Sequence, residues 1–177
     1  VLAMAAGVVG SAPIVPMRIA EINGQTVPDI LSEADSLARE RRAARAAGNT
    51  EQQVPRGRST WALRREFRST YRDAMAGSER VIAGQWFSAL DTSGQISIEE
   101  EVAEDLRVGI GDTITWNVQG VRIPTRITSI RAVTWARFEP NFFVVFNSSS
   151  LENAPKQFAI LANVDTDLRS SLASNPN

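Results

Sequence analysis

The sequence predicts an α+β fold, and three stretches carry that prediction. Residues 111–131 (GDTITWNVQGVRIPTRITSIR) alternate apolar and polar side chains on either side of Gln119-Gly120, the pattern of a β-hairpin. Residues 142–146 (FFVVF) are a short unbroken apolar run, as expected of a strand buried on both faces. Residues 29–47 place Ile30, Leu31, Ala34, Leu37 and Ala38 at helical spacing.

Taken in order, residues 1–6 read as the end of a helix stopped by Gly7. Asn23-Gly24 is a strong hairpin signal, so strands are expected at 14–22 and 25–27, with Pro13 and Pro16 marking an edge or a start. Asp29 is the expected N-cap of the helix at 29–47, which Gly48-Asn49 ends. Residues 48–59 (GNTEQQVPRGRS) read as a loop. A helical turn opens 60–72 and gives way to a strand, with Phe67, Ser69 and Tyr71 on one face. Val81-Ile82-Ala83 is a second short strand ending at Gly84. Ser97 and Glu100 have the spacing of a capping box, which predicts a helix over 98–106. In the hairpin, Ile114, Trp116 and Val118 share a face on one arm, and Val121, Ile123, Thr125 and Ile127 share a face on the other. Residues 157–163 (QFAILAN) are expected as a strand beside 142–146, and 166–173 as the start of a helix.

Composition removes much chemistry. The 177 residues suffice for one domain or two small subdomains, and 43% hydrophobic content supports a full interior. A net charge of −1 argues against a general nucleic-acid binder. There is no Cys and no His, so a Ser-His-Asp triad, a cysteine nucleophile and a His/Cys zinc site are all excluded. A Ser-Lys pair could use only Lys156, the single lysine, in a loop-like stretch beside Pro155. The chain begins at Val1 rather than Met, and no apolar run approaches the roughly 20 residues of a membrane span, which suggests a piece of a larger protein.

Four constellations invite a functional reading. Residues 89–100 (ALDTSGQISIEE) mimic a calcium loop, with Gly94 sixth and Glu100 twelfth, but Ala89 holds the first place and Asp91 is the one carboxylate among the three early ligand positions. A glycine turn, a strand and a helix explain the stretch better. Glu99, Glu100, Glu101, Glu104 and Asp105 read as a solvated helix rather than an acid–base pair. Arg64, Arg65 and Arg68 sit in an arginine-rich run suited to bidentate contact with phosphate or anionic head groups, although interleaved Glu66 and Asp73 also allow local ion pairs. The four tryptophans default to core packing. Trp135 and Phe138, at a strand–loop boundary before Pro140, are the candidates for an exposed apolar contact. No residue is assigned a catalytic, cofactor-binding or metal-binding role, and no cofactor is expected.

The chain resembles the extracytoplasmic domain of an FtsX-like ABC-transporter permease of the YbbP-like group, whose relatives include MacB and the lipoprotein-releasing permeases. The resemblance is carried by PMRIAEINGQTV (16–27), LRREFRSTYRD (63–73), ISIEEEVAEDLRVGIGDTITWNVQG (96–120) and TSIRAVTWARFEPNFFVVF (128–146). It implies a mixed α/β, porter-like subdomain built from 1–28 plus 138–177, with an inserted strand-rich subdomain over 29–136, as in MacB-type periplasmic core domains. It also implies a periplasmic, non-catalytic role in a bacterial inner-membrane protein. A cytoplasmic ABC ATPase subunit would drive the parent's membrane helices. The domain would relay that motion to a second periplasmic domain or partner protein, or to a hydrophobic or lipid substrate. The alternatives are a stand-alone periplasmic ligand- or partner-binding module and a hydrolase with an unrecognised nucleophile.

Overall fold

The computed structural model describes residues 6–48, 57–88, 92–136 and 140–164, with backbone alone for 6–10 and 161–164. Strand β1 (Ala6–Ile22) is long and serves several neighbours in turn. It passes through a tight turn, where Asn23 and Gly24 take φ of 51° and 78°, into β2 (Gln25–Thr26). Two successive positive φ angles are what an Asn-Gly hairpin turn demands. Helix α1 (Val27–Ala46) follows at once. Its N-cap is Thr26 rather than the expected Asp29. The Thr26 hydroxyl accepts from the Asp29 N–H and donates to the Asp29 carboxylate, so the acid supports the cap from inside the first turn.

Next come α2 (Thr60–Arg64), β3 (Phe67–Tyr71), β4 (Glu79–Gly84), β5 (Gln95–Glu99) and α3 (Glu100–Leu106). The predicted Ser97–Glu100 capping box does not form. Glu99 caps α3 instead, accepting from the Val102 N–H at 3.1 Å. Ser97 lies within β5, where its hydroxyl accepts from Ser129 at 2.8 Å. The hairpin of β6 (Thr113–Val118) and β7 (Val121–Val133) has the expected register, Trp116 opposite Ile123 and Val118 opposite Val121. Last are β8 (Val144–Phe146), α4 (Ser148–Leu151) and β9 (Gln157–Val164).

Six strands close on themselves. Following the pairings, β1 joins β3, β3 joins β8, β8 joins β5, β5 joins β7, β7 joins β6, and β6 returns to β1. Two long strands make closure possible. Along β1, residues 6–14 pair with β9, 15–17 with β3 and 18–22 with β6. Along β7, residues 121–126 pair with β6, and 126–131 with β5. Register shifts mark bulges in β1, at Ala20, and in β7, at Thr128, the usual device for bending a strand at a barrel corner. Closure leaves no free edge around the ring.

The ring is filled with side chains. Trp116 is fully buried, with Phe67 and Phe146 set edge-on to it at centroid distances of 5.5 and 5.6 Å. Val15, Ile22, Ile96, Ile98, Ile114 and Ile127 complete the layers. The Trp116 indole N–H donates to Thr125 Oγ1 at 3.0 Å, and Thr125 donates to the Ile114 carbonyl at 2.8 Å, so the polar atoms of these two side chains are satisfied inside the ring. Strand β8 is buried on both faces, as its apolar run predicts. Val144 and Phe146 belong to the main core, and Val145 packs in a second cluster with Ala12, Phe87 and Phe142.

Several expectations need correction. Gly7 stops no helix but lies in β1. The 157–163 strand does not neighbour β8; β9 pairs along the first half of β1, and its Phe158 and Ile160 are exposed. Phe143 is half-buried rather than core: it precedes β8, which starts at Val144, and its ring packs against half-exposed Trp135 and Arg65. Thr70, placed by alternation on the face of β3 opposite Phe67, Ser69 and Tyr71, is buried too, in a strand against which α4 packs. The predicted features at 1–5, 49–56 and 166–173 lie outside the described residues.

Candidate functional site

The site is assembled where α2 runs into β3. Two bonds hold the approach to α2. Ser59 N–H donates to the Asp105 carbonyl at 2.8 Å, and Arg58 Nε donates to the Leu106 carbonyl at 2.8 Å. Ser59 then caps α2, its hydroxyl accepting from the Ala62 N–H. One and a half turns later the backbone leaves the helix at Arg65, which is extended (φ −73°, ψ 156°) while its N–H still donates to the Trp61 carbonyl at 3.1 Å. That exit turns the Arg65 side chain across three rings.

The Arg65 guanidinium carbon lies 4.3 Å from the centroid of Trp61, 4.4 Å from Phe143 and 5.0 Å from Phe67. Trp135 extends the cluster by packing on Phe143 at 4.9 Å. Each such cation–ring contact stabilises by about 0.5–2 kcal/mol, more as water is excluded. Trp61 and Trp135 remain 57% and 47% exposed. Burial alone pushes the Arg65 pKa below its ordinary value. Its Nη1 is sealed from water without a hydrogen-bond partner, whereas Nε and Nη2 are not sealed. Among the described residues Arg65 has no carboxylate within ion-pair distance.

Of the five sequence candidates, the structure thus joins Arg65 and Trp135 through the Phe143 ring. Arg64 lines a groove with Asp35, Thr60, Trp61 and Arg65. Arg68 is exposed on β3, and among the described residues its guanidinium stacks on none of these rings. Phe138 lies outside the described residues. Two members were missed. Trp61 was assigned to the core by default, although its four-residue spacing to Arg65 across a helical turn was readable. Phe143 was assigned to a core strand.

A second charged cluster is internal. Arg131 and the side chain of Glu79 are fully buried, with Arg131 Nε 3.7 Å from Glu79 Oε1. Arg72 pairs with the same carboxylate oxygen, and Arg131 Nη2 donates to the Phe142 carbonyl at 2.6 Å. Burial, opposed chiefly by Glu79, lowers the Arg131 pKa to about 10. These contacts tie β4 to β7 and to the entry of β8, a fastening role with no opening for substrate.

The other chemical candidates settle into structural places. Glu99 is buried as a cap, while Glu100, Glu101, Glu104 and Asp105 are exposed on α3. Lys156 Nζ donates to the Tyr71 hydroxyl at 2.7 Å. Part of the calcium-loop mimic, 89–91, lies outside the described residues. At Gly94 an added Cβ would meet the Pro124 carbonyl oxygen at 2.3 Å, which accounts for that glycine as a close strand approach.

Comparison with known proteins gives one informative likeness. Over 102 residues the chain is 30% identical to an ABC transporter permease, YbbP, from Escherichia coli (strain K12). The match covers 58% of this chain and 12% of that protein's length. No protein-family model matches the chain, and no solved structure does.

Proposed function

We propose that this chain is the extracytoplasmic domain of an ABC-transporter permease, a non-catalytic unit that relays motion driven by a cytoplasmic ATPase subunit. The observation that carries this reading is the 102-residue likeness to a permease. The fold supports it in two ways. Strand β9 pairs antiparallel with the start of β1, Ala6 opposite Val164, so both ends of the described chain leave the barrel side by side. A domain inserted between two consecutive membrane helices needs that geometry. A closed, side-chain-filled barrel also moves as one body, which suits a relay between two states set elsewhere.

In this reading the outer segments, 1–28 and 138–177, supply the ribbon of β1 and β9 that meets the membrane helices, and 29–136 supplies most of the barrel. The domain faces the periplasm of a bacterial inner-membrane protein. It acts on a second periplasmic domain, a partner protein or a hydrophobic, lipid-like substrate. No helix of the described residues is long and apolar enough to cross a membrane, so the spans would lie in the rest of the parent.

Topology is the testable part. Val121→Cys at the tip of the β6–β7 hairpin, 64% exposed, puts a label site into a stretch of 177 residues that has no cysteine of its own, and the unsubstituted gene product serves as the background control. In intact cells carrying the full-length gene product, a membrane-impermeant maleimide admitted to the periplasm should label it. Labelling only after lysis would contradict the proposal.

A further inference from the structure

We infer that the Arg65 ring cluster is a binding site for a single-chain amphiphile with a singly charged oxyanion head group. This deepens the transport reading, and rests on it for the site's role though not for its geometry.

Three features converge. The guanidinium carbon lies within 5.0 Å of the Trp61, Phe143 and Phe67 ring centroids, with no carboxylate to neutralise it among the described residues. Its Nε and Nη2 are not sealed from solvent, and they form the edge of the guanidinium that can donate two parallel hydrogen bonds to two oxygens. One fixed cation with one open edge matches one negative charge. Two half-exposed tryptophans belong to the same cluster, Trp61 against Arg65 and Trp135 against Phe143, which a solvated surface arginine would not need. They supply apolar faces for an alkyl chain. The groove beside Trp61, with Arg64 and Arg65 on its lining, adds positive charge at the head-group end; Asp35 lines it too and pairs with neither arginine. With cation and tail surface this close, the site favours one bound molecule over a bilayer face, whose attraction would grow with the number of dispersed basic residues.

A purely structural role, Arg65 clipping α2 to the Phe143 segment, would need the rings but no open edge and no exposed tryptophan. The two roles separate in a binding assay on the 177-residue chain. The probes are laurate and lauroyl-lysophosphatidylglycerol below their micelle concentrations, with dodecanol as the uncharged arm and acetate as the tailless one. Tryptophan fluorescence and calorimetry are the readouts. Laurate or the lysolipid should bind at least tenfold tighter than dodecanol, with no binding of acetate; which of the two wins identifies the head group as carboxylate or phosphodiester. Arg65→Gln should weaken that binding at least tenfold, and Arg65→Lys should recover only part of it. Should Arg65→Gln fail to fold, Trp61→Ala, at an exposed position, should still weaken binding severalfold.

Equal binding of dodecanol, or unchanged affinity in a folded Arg65→Gln or Trp61→Ala variant, would overturn the inference. So would binding seen only with anionic vesicles, which would indicate a membrane surface, or an acidic peptide competing as well as laurate, which would indicate a protein partner. Because the assay is in solution, its failure leaves the topology result untouched, and a failed topology result leaves the binding intact.

Discussion

Replacing Glu79 with Gln should unfold this domain more readily than almost any other isosteric change. The side chain is fully buried, and one of its oxygens serves both Arg72 and Arg131. Arg131 is sealed in the interior, while Arg72 is about a quarter exposed. A unit charge pair at 3.7 Å interacts by roughly 4 kcal/mol at an effective dielectric of about 20. The Arg72 contact adds less, because water screens it. Glutamine keeps the shape but leaves Arg131 with Glu99 as its remaining nearby countercharge among the described residues. Breaking a buried pair from one side costs about 3–5 kcal/mol. For a domain of this size that lowers Tm by about 6–20 °C. Urea titration followed by tryptophan fluorescence, with thermal melts alongside, measures it. The double variant Glu79→Gln/Arg131→Met should be less destabilised than Glu79→Gln alone, since the stranded cation is then gone. The linkage sign agrees. With Arg131 lowered to about 10, the unfolded chain binds more protons from there up to the ordinary arginine value, so this group disfavours folding at neutral pH and its penalty shrinks above pH 10. A loss under 1 kcal/mol for Glu79→Gln, or a double variant worse than the single, would refute the argument.

Two further predictions follow from packing. Phe146→Ala, fully buried against Trp116, should lose about 3–5 kcal/mol, whereas Phe143→Ala, half-buried among Trp135 and Arg65, should lose about 1–3 kcal/mol; parallel denaturation curves check the order, and a reversed order would contradict the placement of β8. Gly94→Ala should destabilise by about 1–3 kcal/mol, because its Cβ would collide with the Pro124 carbonyl of β7; an unchanged melt would mean that the two strands can part there at no cost.

Local pattern made much of this fold readable. Alternation gave the β6–β7 hairpin and its buried face. Extended by two more pairs, the same period of two places Ser129 and Arg131 on that face, and both are fully buried. The apolar run at 142–146 gave a strand covered on both sides, although only Val144–Phe146 forms it. Closure of the barrel was not readable, because β1 and β7 each change partners along their length and those pairings join residues far apart in sequence. The neighbour of β9 was missed for the same reason. Cap positions failed by small margins. Ser97 has the right spacing for a cap, but its register partner on the neighbouring strand β7, Ser129, takes its hydroxyl. The Arg65 cluster was half visible. Arg65 and Trp135 stood out as residue types in suggestive places. Nothing local says that Phe143, 78 positions after Arg65 in the chain, would bring them together.

The central claim is that this domain transmits movement without reshaping itself or carrying out chemistry. The direct test places a dye on Val121→Cys in the full-length gene product, reconstituted with its ATPase subunit in lipid nanodiscs, and reads energy transfer to an acceptor at the lipid head groups. The account predicts that the hairpin tip changes its height above the membrane when ATP is added and returns when nucleotide is removed. A tip that keeps its height while ATP is hydrolysed and substrate moves would contradict it.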